Sequence, residues 1–96
     1  MRSKPQKLGF ELSISAGADG NVQAVYIRLL DNKIAKTVEI EEDVLMADYD
    51  SRGRLVGIEI LAPVPLSNIS KLVEPPRRKP FSRLVREQAP SKLVLA

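Results

Sequence analysis

From Phe10 to Leu61 the chain alternates apolar and polar residues at every second position, and turn-forming residues interrupt the alternation at short intervals. A period of two is typical of β-strands, whose successive side chains point to opposite faces, and it is not the period of a helix. The pattern predicts five strands, in the sequences FELSIS, QAVYIRLL and IAKTVEI and in the two arms of a hairpin containing DYDSRGRLVGIEIL. Short turns favour antiparallel pairing of neighbouring strands. We therefore expect a mainly β fold, an antiparallel five-stranded β-meander with a short C-terminal helical segment; an α+β fold is the alternative.

The hairpin between the fourth and fifth strands turns at the sequence DSRG, which begins at Asp50. Aspartate commonly begins a type I turn, and the glycine, Gly53, readily adopts the left-handed conformation that closes such a loop. A four-residue loop would pair Tyr49 with Arg54, and it would put the apolar side chains of both strands on one face of the sheet. We therefore predict structural roles for Asp50 and Gly53.

Three carboxylates near this hairpin, those of Asp48, Asp50 and Glu59, are the candidates for acid–base chemistry or metal binding. In the predicted register Asp48 lies opposite Leu55. Glu59 then lies opposite Val44. The rise of a strand separates these two carboxylates by about 13 Å, which is too far for them to share a cation or a proton. We therefore expect neither a catalytic residue nor a metal site here.

Gly57 and Glu59 lie inside the fifth strand. A glycine inside a strand weakens its pairing unless another group approaches closely or a bulge is needed. Glu59 is interpreted as part of the sheet surface, with Arg28 or Lys36 as its cross-strand partner. The same face of the sheet also carries the apolar side chains of Val44, Met46, Leu55 and Leu61. We therefore predict that the C-terminal segment or a second subunit partly covers this face.

The chain contains no cysteine and no histidine. This composition excludes disulfides, thiolate catalysis, histidine acid–base catalysis and the usual zinc and haem ligands. No cofactor and no enzymatic activity are expected, because no glycine-rich phosphate loop follows a strand and the carboxylates are dispersed. No continuous apolar stretch follows the basic start of the chain, so neither a signal peptide nor a membrane span is expected. A reducing compartment suits a chain without cysteine, and we predict a cytoplasmic protein.

Charge is divided along the chain. Residues 11–70 carry ten acidic and five basic side chains, a net charge of −5, whereas residues 71–96 carry seven basic and two acidic side chains, a net charge of +5. We divide the chain into a basic N-terminal arm at 1–9, a β-meander domain at 10–73 and a Pro/basic linker with a C-terminal tail at 74–96. A core this small is only marginally stabilising, so we also expect a homodimer.

Residues 74–80, EPPRRKP, are interpreted as an extended linker, because prolines cannot join the centre of a sheet. A short helix is expected over residues 82–88, with Ser82 as its N-cap and Pro90 ending it. The tail is both apolar and basic, which favours binding to a protein partner such as a small toxin. The alternative is a nucleic-acid-binding or autoregulatory protein, whose basic tail contacts phosphates through its cations. The predicted partner-binding residues are Arg77, Arg78, Lys79, Phe81, Arg83, Leu84, Val85 and Arg86.

The segment AVYIRLLDNKIAKTVEIEEDVLMADYDSRGRLVGIEIL resembles a family of small bacterial and archaeal proteins, the domain-of-unknown-function family 2283. The family pattern runs from an Ala-x-Tyr-Ile-Arg-Leu strand through a Thr-x-Glu region to Asp-x-x-Gly-Arg-Leu-Val-Gly-Ile-Glu-Ile-Leu, and the match spans residues 11–61. Before the second strand this chain has SAGADGNVQ, where the family more often has a tyrosine and aspartates. The resemblance implies a compact β-rich fold with no established activity. Members are associated with neighbouring small toxin-like genes. Together with the apolar and basic tail, we therefore expect a non-enzymatic protein-interaction module that is antitoxin-like.

Overall fold

In the computed structural model, which describes residues 10–96, a five-stranded sheet is followed by two short helices. The predicted basic arm, residues 1–9, lies outside the described residues. The strands of the sheet are β1 (Glu11–Ala16), β2 (Val22–Arg28), β3 (Lys36–Glu41), β4 (Leu45–Tyr49) and β5 (Leu55–Ile60). After them come β6 (Val64–Pro65), α1 (Leu66–Ser70), a 3-10 turn (Pro75–Arg77), α2 (Arg78–Gln88) and β7 (Val94–Leu95). The predicted mainly β fold, with five antiparallel strands and a C-terminal helical segment, is confirmed.

The order of the strands in the sheet is β1-β2-β5-β4-β3, and every neighbouring pair is antiparallel. A simple meander would place β3 beside β2, but β5 occupies that position. The backbone amides of Leu29 and Leu30 both donate to the carbonyl of Val56, at 2.7 and 3.2 Å, and this holds the end of β2 against β5. A strand as apolar as β5 is buried best in the centre of a sheet, which explains the difference from the predicted order.

The turn of the β4–β5 hairpin is one residue shorter than predicted. The Asp50 amide donates to the carbonyl of Arg54 at 2.9 Å, so these two residues pair and only three residues form the loop. Gly53 closes this loop with a φ of 80°, as is typical of a type I turn followed by a left-handed residue. The predicted pairing of Tyr49 with Arg54 is therefore wrong, and Tyr49 pairs with Leu55.

A bulge at Val56 then shifts the hairpin register by one further residue. Asp48 pairs with Gly57, and Ala47 pairs with Ile58. Beyond the bulge the total shift from the predicted register is two residues, which leaves these side chains on their predicted faces because side chains alternate with a period of two. Ala47 and Ile58 are accordingly both fully buried. Before the bulge the shift is one residue, so Leu55 pairs with Tyr49 and packs against the core, and its predicted place on the opposite face is wrong.

The corrected register also changes the distance between the two candidate carboxylates. Asp48 lies opposite Gly57 instead of Leu55, and Glu59 lies opposite Met46 instead of Val44. The two carboxylates are thus offset by two residues along neighbouring strands, which corresponds to about 7 Å instead of the predicted 13 Å.

The core lies between one face of the sheet and a layer formed by the two helices and the short parallel pair of β6 with β7. The sheet, both helices and the final strand all contribute to it. The buried residues that form this core are Val25, Ile27, Leu29, Leu45, Ile58, Ile60, Val64, Leu66, Ile69, Val73, Phe81, Val85, Leu93 and Val94. The C-terminal segment therefore packs on the predicted apolar face. It does not cover the opposite face, which we call the outer face.

The segment predicted to be an extended linker is instead largely helical. Pro75 begins a 3-10 turn, and α2 follows at Arg78, four residues before the predicted start at Ser82. Proline is accepted in the first turn of a helix, where a backbone amide has no partner within the helix, so Pro80 does not break α2. The helix ends before Ala89, whose extended conformation is the one favoured before a proline such as Pro90.

Candidate functional site

A hydrogen-bonded cluster spans three strands on the outer face. The Tyr26 hydroxyl on β2 donates to Asp48 Oδ2 on β4 at 2.8 Å, and Thr37 Oγ1 on β3 donates to Asp48 Oδ1. Because β5 lies between β2 and β4, the tyrosine side chain must pass over β5 to reach its partner. It does so at Gly57, where an added methyl group would overlap the tyrosine hydroxyl. Gly57 is therefore the residue that makes this contact between non-neighbouring strands possible.

The protonation of Tyr26 indicates what this cluster can do. Burial of the phenol, followed by its hydrogen bond to Asp48, raises the pKa of Tyr26 to about 12 from an ordinary value of 10.0. A tyrosine that acts as a base or nucleophile needs a lowered pKa, so this shift has the wrong direction for either of these two roles. The hydroxyl is held protonated as a donor, and the cluster is suited to fixing the sheet.

We expect the Tyr26 phenol to titrate near pH 12, and its pKa should fall towards the ordinary value in the variant Asp48→Ala. The stabilisation that accompanies a raised pKa is complete below about pH 10 and is lost as the pH rises through 12. Absorbance titration of the phenolate in a Tyr49→Phe background measures Tyr26 alone. Glu59→Gln serves as the control and should lower the Tyr26 pKa less. An ordinary Tyr26 pKa in the Tyr49→Phe parent protein would show that the cluster is open in solution.

Glu59 does not pair with Arg28 or Lys36, the two cross-strand partners predicted for it. Glu59 lies between Tyr26 and Met46 in the corrected register. Arg28 lies 4.0 Å from Glu11 on the neighbouring edge strand, and Lys36 pairs with Tyr49 on the other face. Within residues 10–96, the acidic side chains form no group of three or more that could hold a metal ion.

Asp50 is the one buried charged residue in residues 10–96, with 6% of its surface exposed. Its carboxylate accepts hydrogen bonds from Asn32 Nδ2 at 2.8 Å and from the backbone amides of Arg52 and Arg54 at 2.9 Å. Arg54 Nε adds a fourth hydrogen bond at 2.9 Å. Four donors leave the carboxylate no free site for a substrate or cation, so its role is to organise the turn and to attach the β2–β3 connection to it.

Two of the predicted partner-binding arginines make contacts inside the chain. Arg77 donates from Nη2 to the carbonyl of Leu29 at 3.3 Å, and its guanidinium lies 4.7 Å from the ring centre of Phe10. Arg78 donates to the carbonyls of Val73 and Lys71, at 2.7 and 3.1 Å. Both side chains therefore attach the start of α2 to the rest of the domain.

The remaining predicted residues divide between the two faces of α2. Phe81 and Val85 are buried in the core, and Leu84 is half-buried. The three other cations are exposed and follow one another at spacings of four and three residues, which places them on one side of the helix. They line a shallow groove together with Arg78, Ser82 and the acidic Glu87, and are called here the basic stripe: Lys79, Arg83 and Arg86.

The contribution of Tyr26 and Thr37 to the outer face was not predicted from the sequence. The sequence does contain a signal for it, because the glycine inside β5 indicates that another group approaches closely. An aromatic side chain that covers a glycine on a neighbouring strand is a known stabilising arrangement in sheets. The identity of the aromatic residue depends on β2 pairing with β5, and the alternation of residues does not specify that pairing.

The fold and these surfaces define a small mainly β protein: an antiparallel sheet with helices on one face and a polar hydrogen-bonded cluster on the other. The model of the family described as "Protein of unknown function (DUF2283)" matches residues 19–62, and the resemblance predicted from the sequence is confirmed over these residues. The match contains the outer-face cluster and Asp50, whereas α2 and its basic stripe lie outside it. No curated protein matches the chain, and neither does any solved structure. No helix within residues 10–96 is long and apolar enough to cross a membrane.

Proposed function

We propose that the protein is a non-enzymatic interaction module that binds an acidic protein surface through α2. The observation that carries this proposal is the basic stripe, three exposed cations on one side of a helix whose opposite side is fixed in the core. The absence of cysteine and histidine and the raised pKa of Tyr26 support a role in binding instead of catalysis. A reducing compartment suits the composition, so the module is proposed to act in the cytoplasm.

The partner we favour is a small toxin-like protein with an acidic surface, which makes the module antitoxin-like. The binding element is then a helix that is already folded on the domain, whereas the sequence predicts a partner-binding tail that follows an extended linker. Because Phe81 and Val85 already pack in the core, binding through α2 needs no folding of the tail and avoids the entropy cost of ordering it. A helix fixed in advance presents its cations at constant spacing, which favours specific recognition.

Reversing the charges of the basic stripe is expected to weaken capture of the partner strongly. In the triple variant Lys79→Glu, Arg83→Glu, Arg86→Glu, three attractive contacts become repulsive, and we expect capture to fall by about tenfold or more. The measurement is affinity capture from the native lysate with the chain of residues 1–96, quantified against wild type, with and without nuclease treatment. Circular dichroism should show that the variant keeps its fold, because all three side chains are exposed.

The matched control reverses three other exposed cations, Lys33, Arg52 and Lys92, and so changes the net charge equally. It should retain capture, since these side chains lie outside the basic stripe. If both triple variants lost capture equally, the loss would be due to the change in net charge. That result would contradict the assignment of the binding surface to α2. Loss of captured material on nuclease treatment would instead identify nucleic acid as the partner of the stripe.

A further inference from the structure

Within residues 10–96, the sheet has two edge strands, β1 and β3, and these differ in how they are protected. Exposed strand edges attract other strands, and proteins commonly block them with charged side chains and bulges. β3 has both devices, because three of its six residues are charged and its pairing with β4 is irregular between Glu39 and Glu41. β1 has one charged residue, Glu11 at its start, which lies near Arg28.

The edge of β1 is also regular and exposed. Its pairing with β2 runs without interruption from Glu11 to Ser15, and the irregularity begins only after Ser15. Ile14 on this strand is 50% exposed, the largest exposed fraction among the exposed large apolar side chains. An uncharged, regular edge with a half-exposed isoleucine is the type of edge that pairs with another strand.

We infer that β1 pairs antiparallel with β1 of a second copy of this chain, about a two-fold axis at Ser13. An edge that pairs with itself around a two-fold axis is necessarily antiparallel and joins the two sheets into one. Ser13 is the centre of the regular part of β1, so this register uses all of that part in both copies. The second copy is favoured over other partners because β1 is complementary to itself in this register.

The complementarity is visible residue by residue. Leu12 faces Ile14 of the second copy, twice by symmetry, which extends the apolar face of both sheets. On the outer face Ser13 meets Ser13, and their hydroxyl groups can hydrogen-bond to each other. Glu11 faces Ser15 of the second copy, so no like charges oppose each other. β3 lacks a regular edge of this length, because its pairing with β4 is interrupted between Glu39 and Glu41.

This pairing produces a continuous ten-stranded sheet with the helical layers of both copies on the same side. Paired residues across a sheet point to the same face, so the core face of one copy continues the core face of the other. The two basic stripes therefore lie on one side of the dimer. The dimer itself does not depend on the proposed binding of an acidic partner.

The register is tested by single cysteines in the chain of residues 1–96, which has no cysteine of its own. In the variant Ser13→Cys the two Cα atoms would lie about 5 Å apart, within the range of about 4.4–6.8 Å that a disulfide spans. In the control Ser15→Cys they would lie about 13 Å apart along the strands, which is too far. In a glutathione redox buffer we expect a disulfide dimer from Ser13→Cys only. Equal yields from both variants, or none from Ser13→Cys, would overturn the inference.

A second measurement needs no cysteine. Sedimentation equilibrium of the wild-type chain should show a monomer–dimer equilibrium, and Ile14→Lys should raise the dissociation constant by about tenfold or more because it places a charge in the paired edge. Ile40→Lys on β3 is the matched control, since Ile40 is 38% exposed, and it should leave the equilibrium unchanged. A monomeric wild-type chain, or a dimer weakened only by Ile40→Lys, would contradict pairing through β1.

Discussion

The variant Phe81→Ala is expected to lower the free energy of unfolding by about 4 kcal/mol, because it removes a fully buried aromatic ring and leaves a cavity in the core. Phe81 also packs edge-on against Phe10, with ring centres 5.7 Å apart and planes at 83°. Domains of this size are stabilised by about 5–15 kcal/mol in total, so this one substitution is expected to remove a large share. Urea unfolding followed by far-ultraviolet circular dichroism measures the change.

The control for this variant is Leu84→Ala on the same helix. Leu84 is half-buried and lies outside the core cluster, so its truncation is expected to cost about 1 kcal/mol. A small and equal effect of the two substitutions would mean that α2 is detached from the sheet in solution. Residues 74–80 would then behave as the extended linker predicted from the sequence, and the basic stripe would lose the rigid support on which the proposed function depends.

The strands were predictable because their signal is local. Alternation identifies each strand and its buried face, and a register error of two residues does not alter either, as Ala47 and Ile58 demonstrate. The order of the strands in the sheet depends on contacts between distant residues. The alternation of residues predicts that β5 pairs with β4, but it does not predict that β2 is the second neighbour of β5. The amides of Leu29 and Leu30 donate to the carbonyl of Val56, which lies at a bulge. No residue in the sequence predicts the position of this bulge.

The helix α2 was harder to predict because its stability comes from packing. Its sequence contains Pro80 and has two prolines just before it, and these residues suggested an extended linker. The first turn of a helix accepts proline, and a helix this short is marginal unless it docks on a core. Phe81 and Val85 supply that docking, and the same packing separates the cations into those that hold the helix and those that remain exposed.

The second large effect is expected at Asp50. The variant Asp50→Ala should lower the melting temperature by roughly 10 °C, since a carboxylate that accepts four hydrogen bonds is lost. The amides of Arg52 and Arg54 then lose their acceptor inside the turn, and the Asn32 side chain loses the contact that attaches the β2–β3 connection. Asp50→Asn should have a smaller effect because its carbonyl oxygen can still accept from the two amides.

The pH dependence provides an independent measure of the same carboxylate. The hydrogen bond from Asn32, followed by that from the Arg54 amide, holds the pKa of Asp50 well below its ordinary value of 3.8. A group whose pKa is lower in the folded state stabilises the fold above its ordinary pKa, and this contribution is lost as the pH falls through the folded value. The stability of the wild-type protein should therefore decrease as the pH falls below about 4. The variant Asp50→Ala should lack the part of this decrease that protonation of Asp50 causes.

Asp31→Ala is the control for both measurements, because Asp31 is an exposed acidic residue in the connection that Asn32 anchors. Its removal is expected to change stability little, as is usual for exposed positions, and to leave most of the acid dependence in place. If Asp50→Ala melted within a few degrees of Asp31→Ala, the four hydrogen bonds would contribute little to folding. In that case the carboxylate of Asp50 would not be held by these donors in solution, and it could accept a hydrogen bond from a ligand instead.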